Sequence, residues 1–136
     1  MLYLSGVHAL NLPCKLETCG DWHTSALQWR DLRLLDSDNS LFGDYGIETE
    51  KSVPEKMELY NVANHIRALL DLLVQGNFAA AQGMRDDFIC TEKYTEQIFN
   101  KVALMSALTH WPDIDQFMGK EYFMQWVNFR EGAAAG

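Results

Sequence analysis

The residues best equipped for chemistry lie near the start of the chain, as His8-x5-Cys14-x4-Cys19-x3-His23. Two thiols and two imidazoles are the ligand types that tetrahedral zinc favours. The spacing suits zinc poorly. Structural zinc sites usually carry cysteine pairs two to four residues apart with a glycine knuckle, whereas Lys15-Leu-Glu-Thr18 separates these two and Gly20 follows the second. The same residues could also form a nucleophilic pair, Cys19 with His8 or His23. A thiol reacts as thiolate, so such a pair needs a nearby cation or helix terminus to ionise the sulfur. The third reading is structural: free cysteine packs as a small hydrophobe, and histidines often satisfy backbone groups.

Other acidic and histidine motifs carry less. Asp36-x-Asp38-x-Ser40 opens like a calcium loop, but Leu41 stands where the sharp turn needs glycine and Ile47 where a bidentate Glu is required. Asp86-Asp87 and Asp113-x-Asp115 are carboxylate pairs, and the second suits the start of a helix, where acidic side chains are stabilising. His65 sits beside an apolar stripe and reads as a core-edge histidine. No nucleophile elbow, P-loop or dinucleotide-binding glycine turn occurs. The balance leans away from an enzyme. No cofactor is expected, zinc being the one ion the ligand inventory would suit.

The elements that must position these residues follow from composition and periodicity. The 136 residues suffice for one core without staples, and the apolar fraction of 48% with 22% charged residues is that of a globular domain. Net charge is −8, with five basic against ten acidic residues up to residue 60 and six against nine beyond it. Nucleic-acid affinity draws on clustered cations, which are missing here, so nucleic acid is disfavoured as a partner. No apolar run approaches the roughly 20 residues that span a bilayer. The opening Met1–Ser5 shows no export signal, so a cytoplasmic location with reduced thiols is expected; three cysteines cannot all pair within the chain in any case.

The expected fold is mainly α, α+β at most. An irregular segment over 1–53, with short strands, packs on a C-terminal bundle of three to four amphipathic helices over 54–131. Residues 1–131 form a single domain and 132–136 a flexible tail. A strand is expected within Leu2–Leu10, a short helix capped by Asp21 with Trp22, Ala26 and Trp29 on one face, and turns at 36–40 and 43–46. The strongest helix runs from Ser52, in capping-box spacing with Glu55, to a stop at Gly76, with Leu59, Val62, Ile66, Leu69, Leu70 and Leu73 as its stripe. Asn77 caps a short segment, Thr91 opens another helix through Met105, and a last helix follows Pro112.

That last helix has two apolar faces. Ile114, Phe117, Met118, Tyr122, Trp126 and Phe129 form one stripe; Phe123 and Val127 form a second. A helix apolar on two faces is buried centrally or half-covered by a partner. Phe123, Val127, Trp126 and Trp111 are therefore the candidate interface. The acidic charge and the missing catalytic motifs fit an interaction module, such as an inhibitor, an antitoxin-like partner or a regulatory subunit. It would bind another protein, preferably basic, or a second copy of itself. The alternative is a small metal-binding or Cys/His-dependent enzyme built on His8, Cys14, Cys19 and His23.

Overall fold

The computed structural model describes residues 1–21, 23 and 26–135. It is an α+β fold, not mainly α. Strands β1 (Leu2–Leu4), β2 (Leu34–Asp36), β3 (Ile47–Lys51) and β4 (Tyr60–Ala63) form one mixed sheet in the order β2-β1-β4-β3. β1 pairs antiparallel with β2, Tyr3 opposite Leu35, and parallel with β4, Leu4 opposite Val62. β3 pairs antiparallel with β4, with a register shift between Glu48 and Lys51 where Glu50 takes φ 58°. A residue in that left-handed region kinks the strand locally, as bulges do.

The helix expected from Ser52 begins eleven residues later than its Pro54 start, as α2 (His65–Val74). Residues 60–63 are strand instead. Tyr60 and Val62 fit a two-residue repeat as well as a helical one, their aromatic and β-branched side chains favour a pleated surface, and β1 and β3 offer backbone partners. Glu55, assigned to the first helical turn, has φ 64°, which a right-handed helix does not admit. The real cap is Asn64, whose side chain accepts from the Arg67 amide at 2.8 Å. Leu59, placed on the core stripe, is 60% exposed.

α2 is the axis of the molecule. Every residue from His65 to Leu73 is buried, because α1 (Gly6–Leu10), β4, α3 (Phe78–Ala81), a π-helical turn (Met84–Ile89) and α4 (Thr95–Ala103) all pack against it. Each fully buried leucine here contributes roughly 1.5–3 kcal/mol of transfer free energy. The two charged residues on this helix, Arg67 and Asp71, are internal. Arg67 uses all five of its N–H donors. Nε donates to Asp71 at 3.1 Å, Nη1 to the carbonyls of Gly43 and Tyr45 at 2.7 and 2.6 Å, and Nη2 to the Tyr3 hydroxyl and Ser40 Oγ at 2.9 and 2.8 Å. The Tyr3 and Ser5 hydroxyls donate to the other Asp71 oxygen at 2.7 and 2.6 Å. Burial beside that carboxylate pushes the Tyr3 phenol up, which keeps it a donor. The knot ties β1 and the 40–46 turn to α2. Gly46 is needed there: it has φ 72°, and a Cβ would stand 2.8 Å from Arg67 Cβ.

The short helix α3 is capped by Asn77, as its sequence suggests. α4 starts at Thr95 rather than Thr91, whose hydroxyl instead accepts from the Lys93 amide in a turn. The single last helix is two. α5 (Trp111–Tyr122) stops at Phe123, and α6 (Met124–Ala135) resumes at once and runs through the tail expected to fray. The expected start of a helix at Trp22 lies outside the described residues. Among those residues, no helix is long and apolar enough to cross a membrane.

Candidate functional site

Two regions gather side chains that the fold does not itself require. The first is where the loop over residues 10–21 crosses the start of α2. Backbone bonds set that loop in place: Asp21 N–H donates to the Leu10 carbonyl at 2.7 Å, and the Cys19 and Gly20 amides both donate to the Phe88 carbonyl at 3.0 and 2.8 Å. Cys19 is also disulfide-bonded to Cys90, at the end of the π-helical turn. The expectation of three reduced thiols is thereby corrected, and Cys14 is the free one.

Cys14 faces a histidine that sequence spacing did not pair with it. His65, the first residue of α2, bonds to the Leu12 carbonyl through Nε2 at 2.7 Å and to Thr18 Oγ1 through Nδ1 at 2.7 Å. Thr18 Oγ1 lies 3.6 Å from Cys14 Sγ. A carbonyl only accepts, so Nε2 carries a proton in every state of the ring. Nδ1 is then the titrating nitrogen. When the imidazole is neutral, it accepts from the Thr18 hydroxyl, which can accept from the thiol. When it is charged, the same chain runs in reverse, with Thr18 donating to a thiolate. Burial opposes charge on both ends, raising the thiol and lowering the imidazole. Hydrogen bonding between Cys14, Thr18 and His65 outweighs it. The thiol is held below its ordinary value, and the imidazole, helped by the Leu12 carbonyl and the Glu48 carboxylate, above its own. Gly20 permits the ring to sit there: with φ 69°, it would place a Cβ 2.5 Å from His65 Cε1. The three residues open on a cavity of about 490 Å3 whose apolar walls include Leu10, Leu12, Pro13 and Pro54, and which Cys19 and Asp21 also line.

The sequence-predicted ligand set does not converge. His8 bonds to the Gln28 carbonyl at 2.9 Å and stands edge-on to Trp29 at 4.9 Å. His23 pairs with Asp21. Cys19 has no thiol to give to an ion or to a catalytic pair with either histidine. Among the described residues, no three His, Cys, Asp or Glu side chains are grouped to hold a metal. Sequence spacing does not signal the pairing of Cys14 with His65, because Thr18 and His65 are 47 positions apart. The bonds that tie the loop to Leu10, to Phe88 and, through Leu12, to His65 itself bring them together.

The second region is the α5–α6 junction. Trp126, assigned to the partner face, is 1% exposed. Its ring packs against Phe99 and Phe129 at 5.2 and 5.6 Å, and its Nε1 donates to Asp115 at 2.8 Å, so it belongs to the core. Trp111 is half-buried under the Arg130 guanidinium, 5.7 Å from its ring. Phe123 and Val127 do reach solvent. With Met124 between them, they are 61%, 37% and 62% exposed respectively. Phe123 occupies φ 53°, ψ −131°, a region that a bulky residue enters at a cost of about 1–3 kcal/mol. On the far side of Val127, a cleft of about 420 Å3 runs between the helices. Trp126 lines it together with Asp115, Arg130 and Glu131, and Gly119 leaves room for it: a Cβ there would meet nothing within 4 Å.

The sequence matches no protein-family model, and no curated protein or solved structure is significantly similar to it.

Proposed function

We propose that the protein is an interaction module, an inhibitor or regulatory subunit, that binds a basic protein through the α5–α6 junction. One observation carries the reading: a large aromatic side chain is held in solvent on strained backbone, in register with two further exposed apolar side chains. Exposed apolar residues scattered singly need no explanation, whereas a contiguous group is typical of a contact surface. Strain retained at a surface residue is typical of functional positions. Glycine at position 123 would be free of that strain; the ring's contact with the protein is the Arg85 guanidinium 5.9 Å above it, on a surface where such a pair is worth only about 0.5–1 kcal/mol. The partner would seat an apolar side chain in the cleft beside Val127 and receive Phe123 in a pocket of its own. The net charge of −8 favours a partner of opposite charge and speeds the encounter. The cytoplasmic location belongs to the same proposal. In that compartment, the Cys19–Cys90 bridge would form and break with redox conditions.

Site-specific photocrosslinking in cells tests this reading. A photoreactive amino acid is placed at position 123 or 127 and, as a control, at Met57, which is 99% exposed on another part of the surface. The expected outcome is one basic protein captured from 123 and 127 and not from 57, which then forms a defined complex with the purified chain. Equal capture from all three positions, or none, overturns the reading.

A further inference from the structure

We infer that Cys14, Thr18 and His65 form a thiol–disulfide exchange site, with a disulfide sulfur admitted to the cavity as the substrate. The inference is independent of the interaction reading and stands on three features of the geometry. The chain's free thiol is half-buried in a cavity large enough for a small ligand. A hydroxyl at 3.6 Å and an imidazole 2.7 Å beyond it give the thiol a proton acceptor. A disulfide-bonded residue, Cys19, lines the same cavity, while its partner Cys90 is exposed.

The step balances without an outside oxidant. The Cys14 proton passes to Thr18 Oγ1, which hands its own to His65 Nδ1. The thiolate attacks one sulfur of the disulfide, a new S–S bond forms as the old one breaks, and the departing thiolate recovers a proton from His65. Cys14 is oxidised and the departing sulfur reduced. The disulfide has two sources, the resident Cys19–Cys90 bridge or a free low-molecular-weight disulfide. In the first case, Cys90 departs and the 10–21 loop loses its covalent tie to the π-helical turn. The charged groups facing the pair are Asp21, which lines the cavity, and Glu48, which acts on His65 and is itself held by Lys51 at 3.0 Å.

The oxidised full-length protein is incubated at pH 7 with oxidised glutathione or with no added disulfide, quenched in acid, alkylated and peptide-mapped. The expected result is a glutathionyl group on Cys14 in the first arm if the source is external. If it is resident, a Cys14–Cys19 bridge with alkylated Cys90 is expected in both arms. Thr18→Val breaks the relay. The thiolate fraction falls and the remaining thiolate becomes more nucleophilic, so exchange at pH 7 should slow by roughly the square root of the thiolate lost and its pH profile move upward. Thr18→Ser, which keeps the hydroxyl, should restore both. Cys14 recovered unmodified beside an intact Cys19–Cys90 bridge in both arms overturns the inference, as does a pH profile identical in wild type, Thr18→Val and Thr18→Ser.

Discussion

Replacing Arg67 with methionine should remove a large part of the fold's stability. The side chain is 0% exposed and all five of its donors are engaged. Methionine fills a similar volume, so packing is largely kept and the loss is electrostatic. Asp71, 5% exposed, would keep its two hydroxyl donors but lose the only cation bonded to it among the described residues. The Gly43 and Tyr45 carbonyls would lose a buried partner as well. Removing one member of a buried ion pair typically costs about 3–5 kcal/mol, against a total stability of about 5–15 kcal/mol for a domain of this kind. Urea unfolding followed by tryptophan fluorescence reads this directly. Arg67→Met should lose at least about 3 kcal/mol. The double variant Arg67→Met with Asp71→Leu should recover part of that loss, because no charge is left stranded. A single-variant loss below about 1 kcal/mol, or a strictly additive double variant, would refute the reading of the knot as a coupled unit.

Three further outcomes follow from the same structure. Reducing the Cys19–Cys90 bridge opens a loop with a sequence separation of 71; chain-entropy scaling gives a loss of about 4 kcal/mol, checked by denaturant midpoints with and without reductant, and no shift would contradict it. Tyr122 is 2% exposed and its hydroxyl meets no hydrogen-bond partner among the described residues, so Tyr122→Phe should be neutral or stabilising by up to about 1 kcal/mol, and a lower melting temperature would count against the placement. His65 should titrate by NMR above its ordinary value of 6.5 and fall when Cys14→Ala removes the thiol that raises it. Because its native value is raised, the stability it contributes is complete below its ordinary value and is lost as pH climbs through the native one; an unchanged titration in the variant would break the pairing.

Much of the helical half is legible from periodicity. Ile98, Val102, Met105, Ile114, Met118 and Tyr122 are buried where a three-to-four-residue repeat puts them. The failures have local causes. Tyr60 and Val62 satisfy helix and strand periods alike, and only the neighbouring strands decide between them. Arg67 and Asp71 look like a surface ion pair at helical spacing, yet the residues around them are apolar on every side, and that was the signal that the helix is central. The break at Phe123 carries neither proline nor glycine; the nearby Gly119 lies mid-helix. As for the site, the clustering of His8, Cys14, Cys19 and His23 in sequence suggested proximity. Instead, a loop held to the end of α1 and to the π-helical turn by the Leu10 and Phe88 carbonyls sends Cys14 to Thr18 and Cys19 to Cys90, while His8 bonds to the Gln28 carbonyl and His23 pairs with Asp21. Three cysteines allow three pairings, and none of them is ranked by spacing.

The claim that Phe123 is kept for a partner is tested most directly by measuring stability and capture together in Phe123→Gly. Glycine relieves about 1–3 kcal/mol of backbone strain and gives back up to about 1 kcal/mol in unfolded-chain entropy. The variant also gives up the Arg85 guanidinium over the ring, worth about 0.5–1 kcal/mol, so the free protein should stay within about 1.5 kcal/mol of wild type while binding of the crosslinked partner is lost. Undiminished binding in the variant, with its fold intact, would contradict the account.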